Sequence, residues 1–450
     1  MTATARQALT SRAPDAIIAY RSDGPVTVDR FLAEVHWLAA ELPDARYVIN
    51  LASDRYRFLR GFCAALVRGQ VTLMPPNRQP QTLQQTAQKY SDCYVLGGKD
   101  EVQGLPRFST PETPIGLPSC GPVPGFDGEQ LAAIVFTSGS TGESSPNRKY
   151  WHTLQQGTAS NIQLMLADTG LGSDAPLSIV ATVPPQHMWG FETSVLMPLF
   201  CNAAISEQTP FFPQEIAALL AGLPRPRALI SSPVHLAALH KAGVEQTTID
   251  IIFTATAPLP PALANELAAT FDAQVVDVFG CSESGIIAAR PTGAELWTLA
   301  EAFTLDSSAA GTLIKAEHLD APVPLPDIVE LTGAGQFRWL GRSQDMVNIA
   351  GKRGSLLNLN QRLAEIPGVD DGVIFLPSES ATRLAALVVS DTLQPSDILS
   401  ALRAAIDPVF LPRPLYMVNK LPRSASSKLP RKALLDLFAR LRSERRRSED

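Results

Sequence analysis

The stretch FTSGSTGES, residues 136–144, gathers small and hydroxyl side chains directly after the apolar run LAAIVF. Glycine lets the backbone approach a ligand closely, and successive N–H groups in such a turn can point at one anion. The stretch predicts a phosphate-binding loop, and the alternative is a solvated Ser/Gly linker. The spacing of a Walker A loop cannot be laid on it. The candidate contacts are Thr137, Ser138, Gly139, Ser140, Thr141 and Gly142, followed by the basic pair Arg148 and Lys149.

A second apolar run, VVDVFG (275–280), leads into a small polar tip that carries Ser282 and Glu283. A carboxylate at the end of a strand suits Mg²⁺, which takes oxygen ligands and usually bridges to substrate phosphates. Taken alone, Glu283 is better explained as a charge at the N-terminus of a helix.

Aromatic side chains cluster in the segment VPPQHMWGFE (183–192), where His187, Trp189 and Phe191 surround a glycine. Such a group could line a pocket for a flat ring, because aromatic faces stack on planar ligands. The alternative is an ordinary aromatic cluster in the core.

Two further segments carry charged residues near turns. In 325–355, Asp327 could accept hydrogen bonds from ribose hydroxyls, and Arg342 could reach a sugar or a phosphate. The alternative is a β-hairpin with a surface aspartate. In LPRSASSKLPR (421–431), Lys428 stands between two prolines and could place a point charge on a phosphate or carboxylate. A lone lysine is more often solvated.

The elements that must position these residues alternate in type. Helical spacing at 30–42 and 55–69 is interleaved with strand-like runs at 46–53 and 71–76, and this order continues from 131 to 280. Alternation of this kind predicts an α/β fold, with mostly parallel sheets covered by helices. The Pro- and Gly-rich segment 105–128 is predicted to be loop. The character changes near residue 341, so we expect a large domain over 1–341 and a small α+β domain over 342–450.

Composition limits the function classes. At 450 residues and a net charge of −6, the chain is long enough for several domains and has no bulk attraction for nucleic acid. Five scattered cysteines without a C-x-x-C pair are not typical of a disulfide framework or a zinc site. With no run of about 18 apolar residues, a membrane span is not predicted. We expect a cytoplasmic protein.

The motifs together resemble the adenylate-forming superfamily, which contains acyl- and aryl-CoA synthetases, peptide-synthetase adenylation domains and firefly luciferase. FTSGSTGESSPNRK is similar to its phosphate loop, VFGCSE to Y-G-x-T-E, and LPRSASSKLPR to L-P-R-T-x-S-G-K-x-x-R. These three motifs and the block PDIVELTGAGQFRWLGR (326–342), four motifs in all, fall in the family's order between about residues 130 and 435. The PQHMWGFE stretch and the short build also resemble aryl or acyl ligases of aryl-polyene and xanthomonadin-type pigment clusters, which load an acid onto an acyl carrier protein.

The resemblance implies a role for each matching residue. Lys428 matches the catalytic lysine, Glu283 the Mg²⁺ ligand, Asp327 the ribose-binding aspartate and Arg342 its assistant. Gln344 stands at the hinge about which the small domain would rotate. Besides loop 137–142, the resemblance implies ATP contacts from Phe279, Gly280, Ser282 and Lys149, and Lys149 is favoured over Arg148 as the residue that contacts the phosphates. The implied acid pocket consists of His187, Trp189, Phe191, Thr256 and Ala257, and His187 is also given a catalytic role.

The implied reaction is activation of an aromatic, hydroxybenzoate-like acid by Mg·ATP, followed by transfer to a phosphopantetheine thiol on an acyl carrier protein. One alternative is an acyl- or aryl-CoA ligase that uses free CoA. Another is a nucleotide-binding regulator without catalysis, because Phe279 replaces the family's tyrosine and Ser427 replaces the glycine before the catalytic lysine. Mg²⁺ and ATP are the implied cofactors, and the basic C-terminal end suits an acidic carrier protein or CoA phosphates.

Overall fold

The structure is a computed structural model. It describes residues 6–449 except 53, 99–101, 111–112, 115, 119–121, 139–143, 173, 245–246, 309–310, 334, 343–345, 350, 379–380 and 424–428. The first elements in chain order are β1 (Gln7–Ala8), β2 (Ile17–Arg21), β3 (Gly24–Thr27), α1 (Val28–Glu41), β4 (Tyr47–Asn50), α2 (Arg55–Val67), β5 (Val71–Met74), α3 (Pro80–Lys89), β6 (Cys93–Leu96), β7 (Arg107–Phe108), β8 (Gly125–Phe126), β9 (Leu131–Ser138) and β10 (Ser144–Tyr150).

The middle of the chain alternates helices and strands. In order these are α4 (Trp151–Leu166), β11 (Leu177–Ala181), α5 (Met188–Phe191), a π-helical segment (Glu192–Leu196), α6 (Met197–Phe200), β12 (Ala203–Ser206), α7 (Pro213–Ala221), β13 (Arg227–Ser231), α8 (Pro233–Lys241), β14 (Ile251–Thr254), α9 (Pro261–Phe271), β15 (Gln274–Cys281), β16 (Gly285–Pro291), β17 (Leu296–Leu299), β18 (Thr304–Ser308), β19 (Gly311–Lys315) and β20 (Val323–Leu325).

The last part of the chain is built of short strands and three helices within the described residues. These elements are β21 (Asp327–Gly333), β22 (Gln336–Arg342), β23 (Met346–Ile349), β24 (Lys352–Ser355), α10 (Leu356–Ala364), β25 (Asp371–Phe375), β26 (Ala385–Val389), α11 (Pro395–Ala405), a 3₁₀ turn (Pro408–Phe410), β27 (Leu415–Met417) and α12 (Arg431–Glu449).

The chain forms two compact units. The first comprises 1–306, 314–323 and 333–336, and the second comprises 307–313, 324–332 and 337–450. Strands from the segment 307–336 are therefore shared between the units. The predicted domain boundary after residue 341 stays a prediction.

Parallel sheets dominate the first unit. One sheet has the order β10-β9-β5-β4-β6-β7, and the large sheet runs β17-β16-β15-β14-β13-β11-β12-β2-β3 within this unit. Pairing is parallel from β15 through β14, β13, β11 and β12 to β2. The predicted α/β class with parallel-rich sheets is confirmed. Since the carboxyl ends of these strands meet at one edge, polar residues that follow them are brought together there.

A buried arginine fixes the chain where it leaves β11. Arg55, at the start of α2, is fully buried and donates from Nη2 to the carbonyls of Ala181 and Val183 at 2.9 and 2.8 Å. Its Nη1 also donates to Ser194 Oγ. Burial lowers the pKa of Arg55 to about 9. These contacts hold the segment that carries His187 and Trp189 against the core.

The structure contains strands in two segments where the sequence predicted none. The Pro- and Gly-rich segment 105–128 contains the short strands β7 and β8. The sequence also gives no sign of β10, since SSPNRKY is polar and holds a proline. This strand forms because it pairs antiparallel with the apolar β9, from Ser144 opposite Ser138 to Tyr150 opposite Leu131. Tertiary pairing thus overrides a weak local strand preference.

The second unit has its own small core. Strands β25, β26 and β27 form a three-stranded sheet, with β25 antiparallel and β27 parallel to β26. Apolar residues of α10 and α11, including Leu363, Ile398 and Leu402, are buried in the same cluster as Ile374 and Val388 of this sheet.

Phe191 lies in the core of the first unit, fully buried, with its ring 5.0 Å from that of Phe62 in an edge-to-face arrangement. Replacing Phe191 by alanine should lower the free energy of unfolding by about 3–5 kcal/mol, because a large cavity is left. Urea unfolding of the purified variant measures this. Phe211→Ala is the control, since Phe211 is 67% exposed, and it should change stability by less than about 0.5 kcal/mol. Equal stability of both variants would contradict the core assignment.

Candidate active site

The Ser/Gly loop connects the two strands of the β9–β10 hairpin. Gly139, Ser140, Thr141 and Gly142 lie outside the described residues, and Ser138 is the last residue of β9. Thr137 Oγ1, just before the loop, accepts a hydrogen bond from Asn147 Nδ2 across the hairpin at 3.4 Å. The same hydroxyl donates to Glu283 Oε1 at 3.4 Å. The two polar segments predicted to meet a Mg·nucleotide therefore approach each other directly.

Glu283 stands at a tight antiparallel turn between β15 and β16. The pairing register shifts at Phe279 and Gly280, and a Cβ on Gly280 would lie 2.3 Å from the carbonyl oxygen of Gly285. Gly285 has φ +80°, a conformation that glycine adopts without strain. The two glycines allow the strands to close behind the turn, which leaves Ser282 and Glu283 half-buried at its tip.

Lys149 points inward from β10. Its side chain is 2% exposed, and Nζ donates to the backbone carbonyl of Glu283 at 2.7 Å. Burial lowers the pKa of Lys149, and the nearby carboxylate of Glu192 acts in the opposite direction. Arg148, the preceding residue on the strand, is exposed.

Glu192 is a site residue that sequence reasoning missed. It begins the π-helical segment and is buried, with Oε1 accepting from Asn161 Nδ2 at 2.9 Å and from the backbone N–H of Ile286 at 3.1 Å. Burial raises the pKa of Glu192 to about 7, while these hydrogen bonds and Lys149 oppose the shift. The available signal was one acidic residue inside the apolar run MWGFETSVLMPLF.

An aromatic platform precedes the tip. The half-buried ring of Phe279 lies 5.3 Å from the ring of Trp297. The Trp297 ring also contacts the guanidinium of Arg290, which lies 4.3 Å from the ring centroid. Asp277 Oδ2 accepts from Arg290 Nη2 at 3.1 Å. The platform is therefore fixed by a cation–π contact and an ion pair.

The predicted acid-pocket residues separate into two groups. Trp189 is buried and donates from Nε1 to the carbonyl of Ser231 at 3.1 Å, whereas Phe191 lies in the core. His187 is exposed, as are Thr256 and Ala257 in the turn after β14, where Thr256 has φ 78°.

A polar cluster beside Trp189 was not predicted. His235 Nδ1 lies 3.1 Å from Thr182 Oγ1 and 3.2 Å from Ser232 Oγ, and Thr182 Oγ1 lies 2.8 Å from Ser231 Oγ. Burial lowers the pKa of His235. Because these hydroxyl residues end or follow β11 and β13, the cluster shares the carboxyl edge of the sheet with the Glu283 tip.

The remaining predicted residues belong to the second unit. Asp327 is buried and accepts from Trp339 Nε1 at 2.9 Å within the β21–β22 hairpin. Arg342 is the last residue of β22. Gln344 and Lys428 lie outside the described residues.

The donor set in the first unit fits Mg²⁺. Glu283 offers a partly exposed carboxylate, and Thr137 places a hydroxyl oxygen beside it. Within the described part of the chain, no group of three or more His, Cys, Asp and Glu side chains is arranged around a metal position. One carboxylate with substrate phosphates is a common arrangement for this ion.

The raised pKa of Glu192 predicts a pH-dependent stability. The folded chain binds this proton more tightly than the unfolded chain does, so the stabilisation is complete below the ordinary pKa of 4.5 and is lost as the pH rises towards the folded-state pKa of about 7. Glu192→Gln, which cannot ionise, should lack this decline. Urea unfolding should show the two stabilities diverging over that range, by at most about 1.4 kcal/mol per pH unit. The exposed Glu301→Gln is the control, and parallel wild-type and Glu192→Gln profiles would contradict the prediction.

Solved structures with similar folds agree in architecture over nearly the whole chain. ATP-bound MatB from Rhodopseudomonas palustris superimposes with a TM-score of 0.79, covers 96% of this chain and 97% of its own, and is 17% identical. The anthranilate CoA ligase AuaEII in complex with anthranoyl-AMP gives 0.76, with 95% and 94% coverage and 14% identity.

Sequence comparison extends this likeness. A 4-coumarate--CoA ligase of Rhodobacter capsulatus is 30% identical over 277 residues, which are 61% of this chain and 68% of that protein. The family model described as AMP-binding enzyme matches residues 48–311, a range that contains the β9–β10 hairpin, Glu192 and the Glu283 tip. The chain therefore belongs to the AMP-binding enzyme family.

Proposed function

We propose that this AMP-forming acid–thiol ligase activates an aromatic, hydroxybenzoate-like carboxylic acid through an acyl-adenylate and passes the acyl group to the phosphopantetheine thiol of an acyl carrier protein. The observation that carries the first half is the approach of Thr137 Oγ1 to the Glu283 carboxylate at 3.4 Å. A candidate Mg²⁺ ligand beside a phosphate-binding loop is the arrangement that binding of a Mg·nucleotide requires.

In the first half-reaction, an oxygen of the acid's carboxylate forms a bond to the α-phosphorus of ATP, and the bond to pyrophosphate breaks. Negative charge spreads over the transferring group in the transition state, so fixed donors and cations supply the catalysis. The hydroxyl and N–H groups of residues 137–142 would hold the β- and γ-phosphates, and Glu283 would hold Mg²⁺, which neutralises phosphate charge. Phe279 would support the adenine ring.

The second unit would complete the reaction. Asp327 would accept from the ribose hydroxyls, with Arg342 beside it, and Lys428 would bridge the substrate carboxylate and the α-phosphate. In the second half-reaction, the thiol sulfur attacks the acyl carbon, AMP leaves and the thiol proton is released. Rotation about Gln344 would exchange Lys428 for the thiol acceptor. These roles rest on the order of the motifs.

The aromatic character of the acid has two supports. Trp189 is fixed by Ser231 next to the hydroxyl and imidazole groups of Thr182, Ser232 and His235, which could hydrogen-bond a ring substituent. One relative is named for 4-coumarate, and a structural neighbour was solved with anthranoyl-AMP. We place His187, Thr256 and Ala257 at the open side of the same pocket.

Two thiol acceptors are candidates, an acyl carrier protein and free CoA. The basic C-terminal end and the motif resemblance to pigment-cluster ligases support a carrier protein. The alternative, free CoA, is favoured by the names of the CoA ligases to which the chain is similar.

None of the described helices is both long enough and apolar enough to span a bilayer. A cytoplasmic location is proposed because the four described cysteines are free thiols.

The test is acid-dependent ATP–pyrophosphate exchange by the purified protein without any thiol. A panel of hydroxybenzoates, benzoate, cinnamates and fatty acids identifies the acid class, and thioester formation with CoA or a phosphopantetheinylated carrier protein then identifies the acceptor. Exchange with aromatic acids supports the proposal. Exchange with fatty acids alone contradicts the aromatic substrate, and no exchange with any acid favours a nucleotide-binding regulator.

Lys428→Ala should slow acid-dependent pyrophosphate exchange by about 10²–10³-fold, because the charge acts mainly in the transition state. The thermal unfolding temperature should change little. Lys420→Ala removes an exposed lysine from the same unit and should keep the wild-type rate. A wild-type rate for Lys428→Ala would refute the catalytic assignment.

A further inference from the structure

The Glu283 tip is held at two main-chain points by two buried side chains of opposite charge. Lys149 Nζ donates to the carbonyl of Glu283 at 2.7 Å. Glu192 Oε1 accepts from the N–H of Ile286, three residues further along, at 3.1 Å. The two contacts bracket the turn, so together they restrict both its position and its orientation.

The burial of Lys149 directs its ammonium group to the Glu283 carbonyl. Its side chain is 2% exposed, and it lies on the inward face of β10, opposite the exposed Arg148. A cation that binds a triphosphate must present its ammonium group to an open site. The Lys149 ammonium instead donates to the main-chain carbonyl of Glu283, whereas the half-buried Glu283 side chain accepts a hydrogen bond from Thr137 Oγ1.

Glu192 is equally specific in its placement. The π-helical segment that it begins inserts an extra residue per turn, a distortion that often occurs at functional sites. Asn161 of α4 fixes its carboxylate at 2.9 Å. Gly285 leaves the space that this carboxylate fills, since a Cβ there would lie 2.5 Å from Glu192 Oε1.

The two side chains also depend on each other. Both are desolvated by burial, and the charge of each favours the ionised form of the other. Removing one member of a buried pair leaves the other uncompensated, whereas removing both is tolerated better.

We propose that Lys149 and Glu192 are positioning residues that hold the Glu283 tip in the orientation in which its carboxylate meets Mg·ATP, and that Lys149 is not a ligand of the phosphates. This inference rests on the proposed function for its nucleotide, but it concerns residues that the proposed reaction does not otherwise use.

Nucleotide binding to Lys149→Met separates the two roles. Affinity is measured by titration calorimetry, once with ATP in EDTA and once with Mn·ATP, and electron paramagnetic resonance reports the protein-bound Mn²⁺ directly. A positioning role predicts that metal-free ATP affinity stays within about twofold, while the advantage of Mn·ATP over ATP falls by about tenfold or more, which corresponds to one misplaced metal contact. The Mn²⁺ spectrum should change as well.

Further variants keep the test decisive. Glu192→Gln should reduce the Mn²⁺ advantage in the same direction, and Lys149→Met/Glu192→Gln should be no worse than Lys149→Met and should melt at a higher temperature. If Lys149→Met does not fold, Glu192→Gln and the double variant carry the comparison. Lys241→Met, which removes an exposed lysine at the end of α8, is the matched control and should keep wild-type values.

Two results would overturn the proposal. Loss of metal-free ATP affinity in Lys149→Met, with the Mn²⁺ advantage intact, would make Lys149 a phosphate ligand. Wild-type values for both single variants would remove the positioning role. Failure of the wild-type protein to bind ATP under either condition would instead contradict the proposed function, so the two failures are distinguishable.

Discussion

Two buried charges impose the constraint on which the site depends. A lysine ammonium and a glutamate carboxylate removed from water are costly unless each is hydrogen-bonded and compensated. In this protein the hydrogen-bond partners of Lys149 and Glu192 include main-chain atoms of a single turn, at Glu283 and Ile286. The contacts that satisfy the buried charges therefore also fix the turn, and its shape is linked to the stability of the surrounding core.

The sheet topology explains why the contact can form. Lys149 comes from a hairpin at the edge of one sheet, and the Glu283 turn joins the last parallel strand of another to an antiparallel neighbour. Thr137 and Lys149, on the two strands of that hairpin, reach the side chain and the backbone of the same residue. The two strands that flank the Ser/Gly segment are in this way both held against the Glu283 turn.

The alternation of helical and strand-like segments was sufficient to predict the α/β class, and the order of motifs was sufficient to predict the family and the polar segments that surround Thr137 and Glu283. Burial could not be predicted in the same way. A lysine after a polar loop is usually solvated, yet Lys149 is buried because β10 pairs with β9 and turns that side of the strand inward. Glu192 was missed because one carboxylate in an apolar run carries no local signal; its partners, Asn161 and Ile286, are distant in sequence. Phe191 was predicted as a pocket residue but packs against Phe62, a partner that is likewise distant in sequence.

The placement of β2 has a consequence for synthesis of the chain. This strand, Ile17–Arg21, pairs with β12, Ala203–Ser206, and its neighbour β3 then forms the edge of the large sheet. The N-terminal segment must leave the ribosome long before its partner strand exists. Apolar residues of β2 such as Ile18, which are fully buried in the finished protein, stay without that partner until the middle of the chain has been translated. The family match, which begins at residue 48, therefore covers a region that reaches its native packing only with help from residues outside it.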